Sequence, residues 1–426
     1  MGQQTYLNFD LLFLQDGDSY QVQVVNSPSG EARGSFQAPF SALDLSGIEE
    51  ALERARRGRG DPELIPNLGH KLFEAAFTGE VRECLHRSLD MAQHEGKDLR
   101  IRLRLSETPE LARWPWEYLY DSSKARYLAL TTETPIARYM DLAEPTPPLA
   151  AHLPLNILVI LSAPNDQVKL ALEHEWDLLQ DALASLQAAG RVSLIRLETA
   201  TLSALRKALR EQPIHMLHYL GHGTFLEGSD DGVLLFEKPD GSSESISGEA
   251  LAMALHNHDT LRVVVMNACE GTHGSSGEAF KGVAQTLVRQ AVPARLAMQY
   301  EISEPAAVTF GQEFYSALAD GSPIDAAVSE GRKAIYAAGN TVEWGTPVLY
   351  HRAADGQIFD LPGEDAMTDQ PNEEQARGGI SIQVGGNVTG NINAAERDII
   401  IQNQQVLELS ATLLARLGWQ LAGVLA

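Results

Sequence analysis

The sequence predicts an α/β fold: a mostly parallel sheet flanked by helices, preceded by a smaller β-rich and helical region and followed by a short β/helix tail. Three observations lead to it. From Pro154 onward, short apolar runs alternate with helical stretches, the pattern of parallel strands covered on both faces. Before that point, segments of two-residue periodicity precede longer helical ones. After Leu361 the composition turns polar, acidic and proline-bounded.

Taken in order, Tyr6 to Leu14 alternates in part, and Tyr20, Val22 and Val24 share one face before the turn Pro28-Ser29-Gly30. Ser46 to Arg57 reads as a helix that ends in Arg56-Arg57-Gly58-Arg59-Gly60. Glu49, Glu50 and Glu53 lie beside this cluster, which makes it a solvated helix end rather than a nucleic-acid contact. A second helix is expected from about Gly69 to His94. Leu99 to Leu105 then alternates apolar residues with arginine, as a half-buried strand does.

The main strands are expected at Leu155–Leu161, Val192–Leu197, Ile214–Leu220, Leu261–Met266 and Ala294–Tyr300. Helical stretches fall at Leu170–Ala189, Leu202–Gln212, Gly248–Leu255 and Gly277–Gln290, and then at Pro305–Leu318 and Ile324–Gly339. The expected organisation is therefore an accessory region over 1–150, an α/β domain over 151–361, an acidic linker over 362–378 and an interaction tail over 379–426. In the tail, Gly379 to Asn393 and Asp398 to Gln402 alternate Ile and Val with Gly-Asn breaks, a pattern of short strands and tight turns. Val406, Leu409, Leu413, Leu417, Leu421 and Val424 then make an apolar stripe at helical spacing. A stretch this short builds no core of its own, so the tail is expected to pair with a protein partner or with itself.

Composition excludes several classes. The 426 residues are 44% hydrophobic and 21% charged, which suits a globular chain. With 33 Lys and Arg against 57 Asp and Glu, the formal net charge is −24. Such a chain repels phosphate backbones and anionic membranes, so no direct nucleic-acid partner is expected. Membrane contact is expected only through the C-terminal helix. Two cysteines, Cys84 and Cys269, make no disulfide framework, and the N-terminus carries neither a basic nor an apolar leader segment. A cytoplasmic location is expected.

Ligands of such sheets sit beyond the carboxyl ends of the strands. Two strand ends there carry reactive side chains beside glycine: His215 to Thr224, which holds His222-Gly223, and Val263 to Gly274, which holds Cys269-Glu270-Gly271. A thiol next to a histidine can be activated as a nucleophile, and nearby backbone N–H groups can meet an oxyanion. A lone cysteine at a strand end is also a common small buried hydrophobe. His215, His218 and His222 do not share one face of a strand, so no metal site is expected. His273 is a reserve candidate for the base.

His-Tyr-Leu-Gly-His222-Gly and Val-Val-Met-Asn-Ala-Cys269-Glu-Gly-Thr resemble the paired signatures of the CHAT family of caspase-like cysteine peptidases. Ser229 to Phe236, Phe314 to Gly321, Ala326 to Arg332, Trp114 to Asp121 and Tyr127 to Leu130 are similar to further segments of that family. The resemblance implies a caspase-like sheet and an endopeptidase with Cys269 as nucleophile and His222 as general base. It places the amides of Gly223 and Cys269 in the oxyanion hole, uses a thioester acyl-enzyme and needs no cofactor. It further implies a protein substrate and a role in bacterial antiviral defence or programmed cell death. Asp231, Glu270, Glu301 and Glu304 are the candidate substrate-binding carboxylates, which would favour Arg or Lys at the cleavage position. The alternative is a catalytically silent CHAT-like scaffold that assembles partners through its tail.

Overall fold

The computed structural model describes residues 4–17, 19–140, 146–225, 232–268, 283, 286–361, 392–395 and 398–401. For 42, 43, 225, 268 and the last two segments only the backbone is described. The chain divides into two units, Met1–Leu361 and Pro362–Ala426.

In the first unit, β1 (Tyr6–Asp16), β2 (Ser19–Asn26) and β3 (Ala32–Phe36) form an antiparallel meander. β4 (Asp98–Arg104) lies parallel to β1. The short β5 (Tyr120–Asp121) and β6 (Arg126–Tyr127) pair with each other, and β7 (Ile136–Tyr139) lies parallel to β4. After β8 (Leu149–Ala150) come the parallel strands β9 (Leu155–Ser162), β10 (Val192–Arg196) and β11 (Met216–Gly221). A small antiparallel sheet follows, made of β12 (Gly223–Phe225), β13 (Gly232–Glu237) and β14 (Ser243–Ser247). β15 (Val263–Ala268) and β16 (Ala294–Met298) continue the parallel set, β17 (Pro347–His351) runs antiparallel to β16, and β18 (Phe359–Asp360) pairs with β8.

The main sheet has 11 strands in the order β10-β9-β11-β15-β16-β17-β7-β4-β1-β2-β3. Only β16–β17, β1–β2 and β2–β3 are antiparallel pairings in it. The sheet is therefore mostly parallel, as the alternation of apolar runs and helices predicts. It also runs without a break from the strands of residues 1–150 into those of 151–361, joined where Tyr350 and His351 of β17 pair with Arg138 and Tyr139 of β7.

Alternation along the central strands splits the core between the two faces of the sheet. Ile157, Val159, Val263 and Val265 belong to one apolar cluster, while Leu158, Ile160, Val264 and Met266 belong to another. Helices cover both faces, which is why these strands read as continuous apolar runs. The first cluster includes residues of α4 (Leu172–Ala188), α7 (Glu304–Ala319) and α8 (Ile324–Ala337). The second includes residues of α5 (Leu202–Glu211) and α6 (Gly248–Leu255). The expected helix Gly277–Gln290 lies mostly outside the described residues; 286–290 are helical.

Three expectations are corrected. The first helix, α1 (Ala42–Arg56), begins four residues early, because Ser41 and Asp44 form a reciprocal capping box. The expected helix over 69–94 is two, α2 (Leu64–Ala76) and α3 (Gly79–His94), broken where Gly79 takes a left-handed φ of +46°. β4 is not half-buried. Arg100 and Arg102 are buried along with its leucines, while Arg104 at its end is half-buried: Arg100 is 1% exposed and paired with Asp325 of α8. Arg102 reaches both carboxylate oxygens of Asp10 on β1, at 2.5 and 2.6 Å.

In the second unit, β19 (Ile392–Ala395) and β20 (Asp398–Ile401) form an antiparallel hairpin. The apolar stripe of 406–424 and most of the Gly-Asn segment lie outside the described residues. Among the described residues, no helix is long and apolar enough to cross a membrane.

Candidate active site

Three neighbouring parallel strands end in register. Ser162 of β9 pairs with Gly221 of β11, and Gly221 pairs with Ala268 of β15. The next residues along the last two strands are His222 and Cys269. The strands that lead into positions 222 and 269 are therefore neighbours, and their last paired residues, Gly221 and Ala268, lie one interstrand spacing of about 4.8 Å apart. Cys269, Glu270, Asp231 and the reserve base His273 lie outside the described residues.

His222 is 6% exposed and held at both its backbone and its ring. Its carbonyl accepts from the backbone N–H of Leu235 on β13, at 3.0 Å. The Tyr219 hydroxyl lies 2.9 Å from the same carbonyl and 2.7 Å from that of Leu235, and its hydrogen is shared between them. Ser162 also donates to the Leu235 carbonyl. The imidazole Nε2 sits 2.8 Å from the backbone carbonyl of Val168, in the loop after β9. A carbonyl oxygen only accepts, so Nε2 carries the hydrogen and the neutral ring has its lone pair on Nδ1. Nδ1 is then the atom able to take a proton from a thiol. The candidate base read from the sequence thus has an orienting group, a backbone carbonyl that no side-chain motif could have announced.

Gly221 is required by close approach. A Cβ there would lie 2.7 Å from the Tyr219 hydroxyl and 2.9 Å from the Ser162 carbonyl. Gly223 opens β12 and pairs with Leu234.

The other two histidines of the segment serve the core. His218 Nδ1 shares a hydrogen bond of 2.9 Å with the Tyr315 hydroxyl, and burial lowers its pKa to about 4. His215 Nδ1 accepts from the backbone N–H of Asn156 at 2.8 Å, and burial lowers its pKa too. The three rings have three separate partners. Among the described residues, no group of His, Cys, Asp and Glu is arranged to hold a metal ion.

The two carboxylates just after β16 already have side-chain partners. Glu301 bonds Arg56 of α1 at 3.1 Å, on the wall of an open cavity of about 860 Å³ that Arg57, Ser303 and Thr341 also line. Arg56 is only 9% exposed and also pairs with Glu53, so this part of the basic stretch is packed rather than solvated. Arg57 is 65% exposed, as a helix end should be. Glu304, in the first turn of α7, faces His174 of α4 at 3.2 Å.

The tryptophan-rich segment is structural. Glu117 pairs with Arg138 at 2.9 Å in the core, and the Gln299 side chain bonds both Glu117 and the Gly345 carbonyl. This network ties residues 112–118 to the end of β16.

The geometry defines an α/β protein whose candidate site lies where neighbouring parallel strands end, with His222 held at one of those ends. Comparison with known proteins makes the assignment specific: the CHAT domain family matches residues 66–372, and the chain belongs to that family. No curated protein sequence matches it. Among solved structures, it is similar to a chain of the separase–securin complex of Saccharomyces cerevisiae, at 13% identity and a TM-score of 0.36. That match covers 73% of this chain and 22% of the other, so the chain spans about a fifth of that protein's length. It is also similar to the Arg-specific cysteine proteinase gingipain R (RgpB), at 13% identity, covering 74% and 76%, with a TM-score of 0.39. The complex of Porphyromonas gingivalis RgpB pro- and mature domains matches at 13% identity, covering 75% and 78%, with a TM-score of 0.39.

Proposed function

We propose that the chain is a caspase-like cysteine endopeptidase in which His222 activates Cys269. The observation that carries the reading is the hydrogen bond from His222 Nε2 to the Val168 carbonyl, on a strand whose exit is in register with that of the cysteine strand. It leaves Nδ1 basic and the ring fixed, the two properties a general base needs.

In the proposed reaction His222 takes the thiol proton and the Cys269 sulfur attacks the scissile carbonyl carbon. The tetrahedral oxyanion is met by the amides of Gly223 and Cys269. The C–N bond then breaks, His222 returns the proton to the leaving amine, and a thioester remains. Water, deprotonated by the same histidine, attacks the thioester and frees the acid and the thiol. No cofactor enters these steps.

The substrate in this reading is a partner protein, met or selected through the tail of residues 379–426. Glu301 and Glu304 already face Arg56 and His174, so Asp231 and Glu270 are the carboxylates proposed to meet a basic side chain at the cleavage position. Action in bacterial antiviral defence or cell death is proposed from the resemblance of the two signatures alone.

The test is digestion of a mixed-sequence peptide library by wild type, Cys269→Ala and His222→Ala, read by mass spectrometry. Cuts made by wild type only are expected, enriched in Arg or Lys before the broken bond. Cuts shared by all three proteins, or none from wild type, would overturn the reading. A thiol-reactive probe gives an independent check: Cys84 is fully buried, so labelling reports on Cys269.

A further inference from the structure

The loop that supplies the Val168 carbonyl has no regular structure of its own, yet it must hold that oxygen to a fraction of an ångström. Its fixings all lead to one place. Ala163 N–H donates to the Glu237 carboxylate at 2.9 Å, and Asn165 N–H donates to the Gly241 carbonyl at 2.9 Å. The Asn165 side chain donates to the Asp240 carbonyl at 3.3 Å. Asp166 accepts from the Ser243 backbone N–H, at 3.0 and 3.1 Å to its two oxygens, and from the Ser243 hydroxyl at 2.9 Å. Every one of these partners lies on the hairpin formed by β13, β14 and the turn between them.

The same hairpin holds the other end of the histidine. Leu235 of β13 donates to the His222 carbonyl, so the backbone of His222 and the carbonyl its ring bonds to are both referred to one rigid element. The turn is braced internally, since Asp240 accepts from the Ser242 N–H and hydroxyl at 3.0 and 2.7 Å. Asp166 is the strongest of the loop's fixings, with both carboxylate oxygens engaged, and it stands two residues from Val168.

We infer that Asp166 is a positioning residue for the peptidase chemistry: by clamping the loop to Ser243 it sets the Val168 carbonyl that orients His222. The inference rests on the peptidase reading and adds to it a group that touches neither substrate nor the reacting atoms. The hydrogen bonds from the Ser243 backbone and hydroxyl hold the Asp166 carboxyl below the usual carboxylate range, so the clamp is anionic at neutral pH. Asp166 is exposed, and its removal leaves the core untouched.

The experiment observes the His222 Nε2–H proton by NMR in histidine-labelled full-length protein, with His222→Gln to identify the resonance. In wild type the proton is expected to be protected from exchange with water. Asp166→Ala should lose that protection, and Asp166→Asn, which keeps an acceptor for the Ser243 N–H, should retain most of it. In peptide cleavage, Asp166→Ala should lower kcat by about 10-fold to 100-fold with KM within about twofold. An Nε2–H signal equally protected in Asp166→Ala, or unprotected in wild type, overturns the inference. The NMR readout needs no turnover, so a wild type that fails to cut peptides counts against the peptidase reading alone.

Discussion

Two parts of one sheet handle polarity in opposite ways. In the β9–β11–β15 trio both faces are mainly apolar, and apart from His218 in the middle of β11 the polar groups gather at the strand ends. In β1 and β4 one face is apolar, with Phe9, Leu11, Leu99, Ile101 and Leu103 buried, and the other carries ion pairs inside the protein. Arg100 meets Asp325, Arg102 meets Asp10, and the guanidinium planes of Arg100 and Arg102 lie over the rings of Tyr6 and Tyr139. Burial alone would push the Asp325 carboxyl up, but Arg100, by charge and hydrogen bond, holds it below its ordinary value. The comparison teaches where each half keeps its specificity. The accessory half fixes which elements pack together by charge inside the core, and the candidate catalytic half fixes one histidine by backbone hydrogen bonds at the rim.

Breaking an ionic pair should therefore cost folding, while breaking the rim should cost function. Asp325→Ala leaves Arg100 buried without its carboxylate and is expected to lower stability by about 3–5 kcal/mol. His222→Ala, by contrast, should cost less than about 1.5 kcal/mol while abolishing cleavage. Urea unfolding of both variants beside wild type checks the pair of outcomes, and equal destabilisation would erase the distinction.

Acid sharpens the same contrast. Burial lowers the pKa of both His218 and His351 to about 4; at His351 Asp325 acts in the opposite sense and Arg100 and Arg102 reinforce the lowering. The unfolded chain takes up these protons below about 6.5, while the folded protein resists them until about 4. Stability should then be full above the unfolded value and fall as the pH drops through that window, by about 3 kcal/mol for each group. Unfolding of wild type and His218→Gln at pH 7.5 and pH 5 reads this, and the variant should lose less on acidification.

Gly221→Ala tests the crowding beneath the candidate base. Its Cβ meets the Tyr219 hydroxyl and the Ser162 carbonyl, so a loss of about 1–3 kcal/mol is expected together with displacement of His222 and reduced cleavage. The smallest effect is expected where α1 meets the segment after β16. A double-mutant cycle on Arg56→Ala and Glu301→Ala should give a coupling of about 1 kcal/mol or less, because water reaches Glu301.

Much of the strand and helix pattern was legible because each element repeats one periodicity over many residues. The five apolar runs from Leu155 to Tyr300 became strands within two residues of their expected limits. The early start of α1 was legible in principle as Ser41 and Asp44 three residues apart. The break between α2 and α3 was harder to read, since Phe77-Thr78-Gly79 interrupts two amphipathic stretches without a proline. In the site, His222 was readable as a histidine beside glycine at a strand end. Asn165 and Asp166, turn-forming residues directly after β9, were the available sign that this loop is built. The Tyr219 and Leu235 contacts had no sign.

By itself, then, the sequence determined the fold class and the family signatures, and it singled out His222 and Cys269 as candidates, because side-chain identity and local periodicity are written residue by residue. Only the tertiary structure decided that residues 1–150 extend the same sheet as 151–361, that the arginines of β4 face carboxylates in the core, and that His222 is oriented by Val168. Those outcomes depend on which strands become neighbours and where a main-chain oxygen comes to rest. A backbone carbonyl is the same atom at every position, so its role exists only once the chain has folded around it.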